Sequence, residues 1–355
     1  LKKTSLDDIA KSLNVSKTLV SFVLNGQGRK KGISYDTIKR VKEKVEELNY
    51  RPNQVARGLR LGKSYTIGLI VTDISNKFYA KIAKKIEEVA SLHNYNLIFC
   101  SSDENPEKEI ELINMLKERQ VDGLIISTTQ KNAAIFSQLK KENYPFVLID
   151  RRLGKLSSNF VGVDNFTGAY EATEQLIRNG HQKIGLLNIS PSYLSTIKDR
   201  ELGYRSALRD NGMRVNNKFI RTINFSEIHK EVRTVLRELI QPPFKIDAIF
   251  SVNNSITVAC MEYLNEMNIR IPQDLAIVSF DDIDLFRFSY PTITAVAQPI
   301  EEIGKSAVNI LLDEIKGTPQ NNKQLVLPAT LITRRSCGIF AKQNGSSVLN
   351  KEQLK

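Results

Sequence analysis

The sequence predicts an α/β protein: an all-α helix-turn-helix domain at the N-terminal end, then a body of two similar α/β lobes. Three observations point there. The chain has 355 residues, too many for one ordinary core. Residues 1–63 hold 15 Lys and Arg against 6 Asp and Glu, a balance of +9, whereas the whole chain carries only +12. From Tyr65 onward, apolar runs of strand length alternate with amphipathic helical stretches, and the alternation restarts once.

The head reads as two short helices with a tight turn between them, spanning Leu6 to Ser21. Thr4 or Ser5 can cap the first helix, with Asp7 and Asp8 in its first turn. Ile9, Ala10 and Leu13 form its inner face, and Asn14 suits a left-handed turn position. Ser16 then caps a second helix whose inner side carries Leu19, Val20 and Val23. Lys17, Thr18, Ser21 and Phe22 remain to face outward. The loop 25–32 is glycine-rich and basic, so it is expected to be mobile and close to phosphate. A third helix over 34–48 presents Ile38, Val41, Val45 and Leu48 at helical spacing and closes a minimal core.

Residues 50–63 follow. Pro52 fits the first turn of a short helix, with Val55, Ala56 and Leu59 on one side and Arg51, Arg57, Arg60 and Lys63 adding charge. One or two turns are marginal alone, so the segment is expected to order with DNA and a partner copy. A plain basic linker is the alternative. Short polar residues opening a second helix on a basic background are what a major-groove reader needs. A helical cap on a larger protein would carry less charge. A basic head on a nearly neutral remainder points to DNA binding governed by a sensing body.

The body begins with a buried strand over 66–71, helix 78–92, strand 96–100, helix 106–119, strand 121–126, helix 133–141 and strand 146–150. The pattern restarts with helix 167–179, strand 183–189, helices 200–211 and 227–239, strand 248–251, helix 255–267 and strand 275–280. Helix 301–315 and strands over 324–327 and 330–333 complete it. Two such lobes with a cleft between them suit a small ligand. The tail 341–355 is polar, is expected to be disordered, and lacks the leucine heptads of a tetramerising helix.

Several function classes find no support. Cys100, Cys260 and Cys337 are widely separated, with neither disulfide framework nor metal spacing, and Cys100 and Cys260 read as small core residues. His93, His181 and His229 are scattered. No apolar run approaches the roughly 20 residues of a membrane span, and the polar start does not read as a secretory leader. Gly26-Gln27-Gly28 lacks the strand and third glycine of a dinucleotide loop, and no phosphate-binding or nucleophile-elbow motif occurs. The expectation is a cytoplasmic protein without enzyme activity, cofactor or metal.

Asp8-Ile9-Ala10, Val15-Ser16, Val20-Ser21 and Val23-Leu24-Asn25, together with Tyr50-Arg51-Pro52-Asn53, Ala56-Arg57 and Leu59, resemble the LacI/GalR family of bacterial transcriptional regulators. The resemblance runs over about residues 3–338. It implies a helix-turn-helix DNA-binding domain over 1–49, a hinge helix or linker over 50–63, and an effector-binding and dimerisation domain over 64–340. The body would have the periplasmic-binding-protein fold, with lobe one at 64–163 and 295–327 and lobe two at 164–292 and 330–340. A homodimer on a pseudo-palindromic operator is implied. Ser16, Lys17, Thr18 and Ser21 would then enter the major groove, and Leu59 would wedge into the minor groove. Asn25, Tyr50 and Asn53 would contact or brace the DNA backbone, and Thr4, Ser5, Arg29, Ala56 and Arg57 complete the expected DNA-contacting set. One departure stands out: Phe22 occupies the place of a usual arginine, and could touch a thymine methyl or pack inward.

For the effector, the resemblance points to Asp73 and Phe78 after the first strand, Ser102 and Asp103 after the second, and Arg151 after the fourth. It also points to Arg200 in Asp199-Arg200-Glu201-Leu202-Gly203-Tyr204, to Asn253 where Asn253-Asn254 replaces an Asn-Asp pair, to Asp281, and to Gln298 in a returning crossover. Asp282 more naturally stabilises backbone. Arg, Asn and Asp with one aromatic suit a polyol ring, because each hydroxyl needs both donor and acceptor. The expected function is a repressor whose operator affinity is switched by a small ligand, a sugar or sugar derivative. The alternatives are a dual activator and repressor using a purine or phosphoprotein corepressor, and a solute receptor without DNA function.

Overall fold

Ser5 starts the first helix, α1 (Leu6–Leu13). Its hydroxyl accepts from the Asp8 amide while the Asp8 carboxylate accepts from the Ser5 amide at 2.8 Å, a reciprocal capping box. Asn14, at φ 54°, ends the helix in the left-handed region. The Ser16 hydroxyl accepts from the Leu19 amide at 3.1 Å and opens α2 (Lys17–Leu24). Ser34 caps α3 (Tyr35–Glu47) in the same way. Ile9, Ala10, Val20, Val23 and Val41 form a core of minimal size, with Leu13, Leu19, Val45 and Leu48 around it.

The loop between α2 and α3 is built of hydrogen-bonded turns. Gly28 is buried against Ile38, Arg29–Lys31 form a 3₁₀ turn, and the amides of Gln27, Lys31 and Ile33 all find carbonyl partners. The chain divides into two units, Leu1–Tyr65 and Thr66–Lys355. The computed structural model describes residues 4–50, 62–154, 156–318 and 322–338. Most of the expected hinge, and the tail over 341–355, lie outside them.

The second unit begins with β1 (Thr66–Val71), α4 (Lys77–Leu92), β2 (Asn96–Ser101), α5 (Pro106–Glu118), β3 (Gly123–Ile126), α6 (Ala133–Lys141), β4 (Phe146–Ile149) and β5 (Asn159–Val163). It continues with α7 (Asn165–Arg178), β6 (Ile184–Ile189), α8 (Ser195–Asp210), β7 (Ile220–Ile223), α9 (Ile228–Leu239), β8 (Ala248–Ser251), α10 (Asn254–Glu266), β9 (Ala276–Phe280), α11 (Leu285–Phe288) and β10 (Thr294–Ala297). It closes with α12 (Ile300–Ile315), β11 (Gln324–Leu327) and β12 (Thr330–Ile332).

These strands build two six-stranded sheets. The first runs β11-β5-β4-β3-β1-β2 and is parallel throughout. The second runs β12-β10-β9-β8-β6-β7 and is parallel apart from the antiparallel β10–β12 edge. Fully apolar runs such as Leu69-Ile70-Val71 and Ile277-Val278 are buried on both faces, as helix-covered parallel strands require. The chain passes between the sheets three times: after β5, after β10 and after β11.

Four local expectations change. β5, β7, β10 and α11 were not expected from the apolar pattern. β10 pairs with β9 and β12, so residues 295–297 belong with the second lobe and the crossover falls after Ala297, not before residue 295. Helix α8 starts at Ser195, five residues earlier than the pattern suggested, so Arg200 lies in its second turn. Cys100 is only half-buried, whereas Cys260 is in the core.

Candidate functional site

Two groups of side chains carry chemistry. The first is the outer face of α2. Lys17 and Thr18 are exposed there, Ser21 and Phe22 are half-buried one turn later, and Val20 and Val23 are turned into the core. Asn25 donates to the Ser21 carbonyl at 2.8 Å and so terminates the helix. Phe22 is absent from the core cluster. The Lys31 ammonium stands 5.3 Å from its ring centre, which places a loop cation on the face where an arginine is missing. The Arg29 guanidinium lies 5.4 Å from the Tyr35 ring.

Thr4 and Ser5 have structural partners: Thr4 donates to the Leu48 carbonyl at 3.3 Å, and Ser5 is in the capping box. Tyr50 is half-buried against the core, and that burial pushes its phenol above the ordinary value. Lys11 and Lys17 both bond Asp7, holding its carboxyl below the usual range. Asn53, Ala56, Arg57 and Leu59 lie outside the described residues.

The second group lines the cleft between the two sheets. Both sheets have the doubly wound strand order, and in such sheets side chains for a ligand gather beyond the carboxyl ends of the strands. Here the ends of β1, β2, β4, β6, β8 and β9 all face one cleft. Of the expected residues, Asp73, Phe78, Arg151, Arg200, Asn253, Asp281 and Gln298 line it. Ser102 does not. It is fully buried and its hydroxyl donates to the Val71 carbonyl at 3.3 Å, because the strand end turns it into the sheet. Asp103 accepts from Ser101 and Lys108 on the surface.

Glu104, two residues after Ser102, takes the wall position instead. Asp103 and Glu104 stand at φ 52° and 56°, two consecutive left-handed residues that turn the chain back toward the cleft. Glu104 then receives both terminal nitrogens of Arg151, at 2.7 and 2.6 Å. Tyr79, Asp150 and Phe225 also line the cleft and were missed, each reading in sequence as part of a helix, a strand or a loop. The Tyr79 hydroxyl donates to Asp150 at 2.8 Å, and burial pushes its phenol far up.

In the second lobe, Arg200 gives its Nε to Asn165 at 2.8 Å and Nη1 to the Val252 carbonyl at 2.6 Å, with its guanidinium carbon 3.6 Å from the Phe280 ring centre. Gly203 lets this happen. A Cβ there would strike the Phe166 carbonyl and the Tyr170 amide, so only glycine lets α8 lie this close to α7. Asp281, at φ 70°, accepts from Gln298 at 2.6 Å and sits 4.0 Å from Arg200. Burial raises its carboxyl despite those partners, and burial lowers the Arg200 guanidinium. Asn253 caps α10, while Asn254 reaches across the cleft to Asn76 at 3.1 Å. Asp282 is held in a two-bond pair with Arg334, each bond 2.8 Å.

The cleft holds about 50 Å³, far below the several hundred that drug-sized ligands occupy, so the lobes must separate to admit one. Hydrogen bonds and ion pairs cross between the lobes beside it. Gln130 accepts from the Ser195 amide at 2.7 Å and donates to its hydroxyl at 3.1 Å, Arg152 bonds Asp199 at 3.1 Å, and Lys81 bonds Asp284 at 3.0 Å.

Residues 5–53 match the family of bacterial regulatory proteins, lacI family, and residues 173–337 match the periplasmic binding protein-like domain. The HTH-type transcriptional regulator KdgR of Bacillus subtilis (strain 168) is 32% identical over 336 residues, which cover 94% of this chain and 97% of KdgR. A transcriptional regulator CelR–cellobiose complex is 26% identical with a TM-score of 0.70, covering 94% of this chain and 100% of that one. A LacI family transcriptional regulator from Enterococcus faecium with bound ribose is 29% identical with a TM-score of 0.68, covering 77% and 98%. With a third of its residues identical to a regulator over nearly the full length of both, and with the helix-turn-helix head and two-lobed body just described, this chain belongs to the lacI family of bacterial regulatory proteins.

Proposed function

We propose that this protein is a transcriptional repressor, cytoplasmic and homodimeric, whose affinity for a pseudo-palindromic operator is switched by a carbohydrate in the interlobe cleft. The observation that carries the reading is the convergence of Asp150, Arg151, Arg200, Asn253 and Asp281 from both lobes on one cleft, in a chain whose basic head presents Lys17, Thr18 and Ser21 on one helix face. Paired donors and acceptors beside aromatic side chains suit a ring of hydroxyls. The CelR and Enterococcus faecium relatives carry cellobiose and ribose in their structures, which supports the same class of ligand.

In this reading the ligand favours one arrangement of the lobes, and operator affinity follows. Leu59 is assigned as a DNA-contacting wedge. Replacing it by alanine is expected to weaken operator binding and leave ligand binding intact. The test is selection of genomic DNA by purified protein at about 150 mM salt. An enriched inverted repeat is expected. Retention that depends only on fragment length, with and without sugars, would exclude a specific regulator.

A further inference from the structure

Both guanidinium groups of the cleft already have partners within the protein. Arg151 is only 7% exposed, gives two bonds to Glu104, and has its Nε 3.5 Å from an Asp150 oxygen. Arg200 is 4% exposed and lies between Asn165, the Val252 carbonyl, the Phe280 ring and Asp281. Around these two cations the wall carries four carboxylates, Asp73, Glu104, Asp150 and Asp281, a formal balance of −2. Burial favours the protonated form of Asp281, and even its neutralisation leaves the wall at −1.

An anion brought into this cleft would lose its water and meet net negative charge at short range. The donors that remain suit a hydroxyl. Among the described residues the buried Arg151 Nε and Thr72 Oγ1 have no hydrogen-bond partner, and both residues line the cleft. Any acceptor approaching that Nε also approaches Asp150. A hydroxyl can accept from the one and donate to the other, while a carboxylate or phosphate can only accept.

We propose that the effector is an uncharged polyol, and that Glu104 is a specificity residue that rejects sugar phosphates and sugar acids by occupying the guanidinium face of Arg151. The inference rests on the carbohydrate reading of the cleft. It deepens that reading by fixing the ligand's charge.

The experiment is a thermal-shift titration of the full chain with matched pairs of ligands. Neutral mono- and disaccharides, including ribose, glucose and cellobiose, are compared with ribose 5-phosphate, glucose 6-phosphate and gluconate. At least one neutral member is expected to raise the melting temperature, with its anionic counterpart about 100-fold weaker. In Glu104→Gln, which keeps an acceptor toward Arg151 but removes the charge, the anionic counterpart is expected to gain about tenfold. An anionic counterpart that binds the unmodified protein as tightly as the neutral sugar overturns the inference and leaves the carbohydrate reading standing. The wild-type comparison decides this even where the variant fails to fold. If no member of either class binds, the carbohydrate reading itself falls, and the inference with it.

Discussion

At the residue scale, the cleft trades stability for binding. Asp281 is buried with a raised pKa. Its folded form therefore holds a proton more tightly than the unfolded chain does. The stability it contributes is present at acid pH and is lost as pH rises through its folded value. Asp281→Asn should consequently raise the melting temperature at neutral pH, by about 2–4 °C, and weaken sugar binding at least about tenfold. A differential scan with and without ligand measures both, and a variant that is less stable yet binds normally would contradict this assignment. Gly203→Ala has a different cause. Its Cβ would fall on backbone atoms of α7, so a loss of about 1–3 kcal/mol in denaturant unfolding is expected.

The residues themselves were unequally legible. The resemblance pointed to Arg200, Asp281 and Gln298, and all three line the cleft. Glu104 was not legible. In sequence, Asp103-Glu104-Asn105-Pro106 reads as a polar helix start, and only two successive left-handed residues aim the carboxylate inward. Ser102 failed for the converse reason, since a strand-end side chain faces the sheet or the cleft according to register.

At the scale of elements, helices with caps and long apolar stripes were predictable to within a residue or two. Ser5, Asn14, Ser16 and Ser34 mark helix ends in the head, and the structure uses each of them. Short strands were harder. β7 (Ile220–Ile223) is an edge strand carrying Arg221 and Thr222, and β5 is interrupted by Gly162, so neither offers the continuous apolar run of a central strand. Ser16→Ala should cost the head about 1 kcal/mol, read as earlier melting of the N-terminal unit by hydrogen exchange.

The start of α8 was mistaken because no side-chain cap marks it, although Thr196 and Ile197 already belong to its buried face. Those first residues matter, because Gln130 binds the Ser195 amide from the other lobe. Gln130→Ala removes that bond and is expected to populate the open cleft. Because the closed cleft has no room for a ligand, affinity should rise about fivefold, and small-angle scattering of the unliganded protein should show a larger radius of gyration. An unchanged radius with unchanged affinity would mean that the bond does not hold the lobes.

At the scale of the whole molecule, charge separates the two tasks. The balance of +9 over residues 1–63 leaves only +3 for everything that follows, so affinity for phosphate is expected of the head, while recognition of a polyol is what we propose for the body. Operator affinity should therefore fall steeply with salt, whereas binding of a neutral sugar should hardly change between about 50 and 200 mM. The division into head and body was legible from the change in charge and apolar period near Tyr65. The exact path of the three crossovers was not, because β10 is a four-residue strand whose partners are set only by the assembled sheet.

In the function proposed for this protein, the two tasks are coupled. The most direct test is fluorescence anisotropy of the full chain on its selected operator at about 150 mM salt, with and without a saturating neutral sugar identified by thermal shift. Operator affinity is expected to change by about 5–150-fold. A sugar that saturates the cleft while operator affinity stays the same would mean that the two tasks are independent.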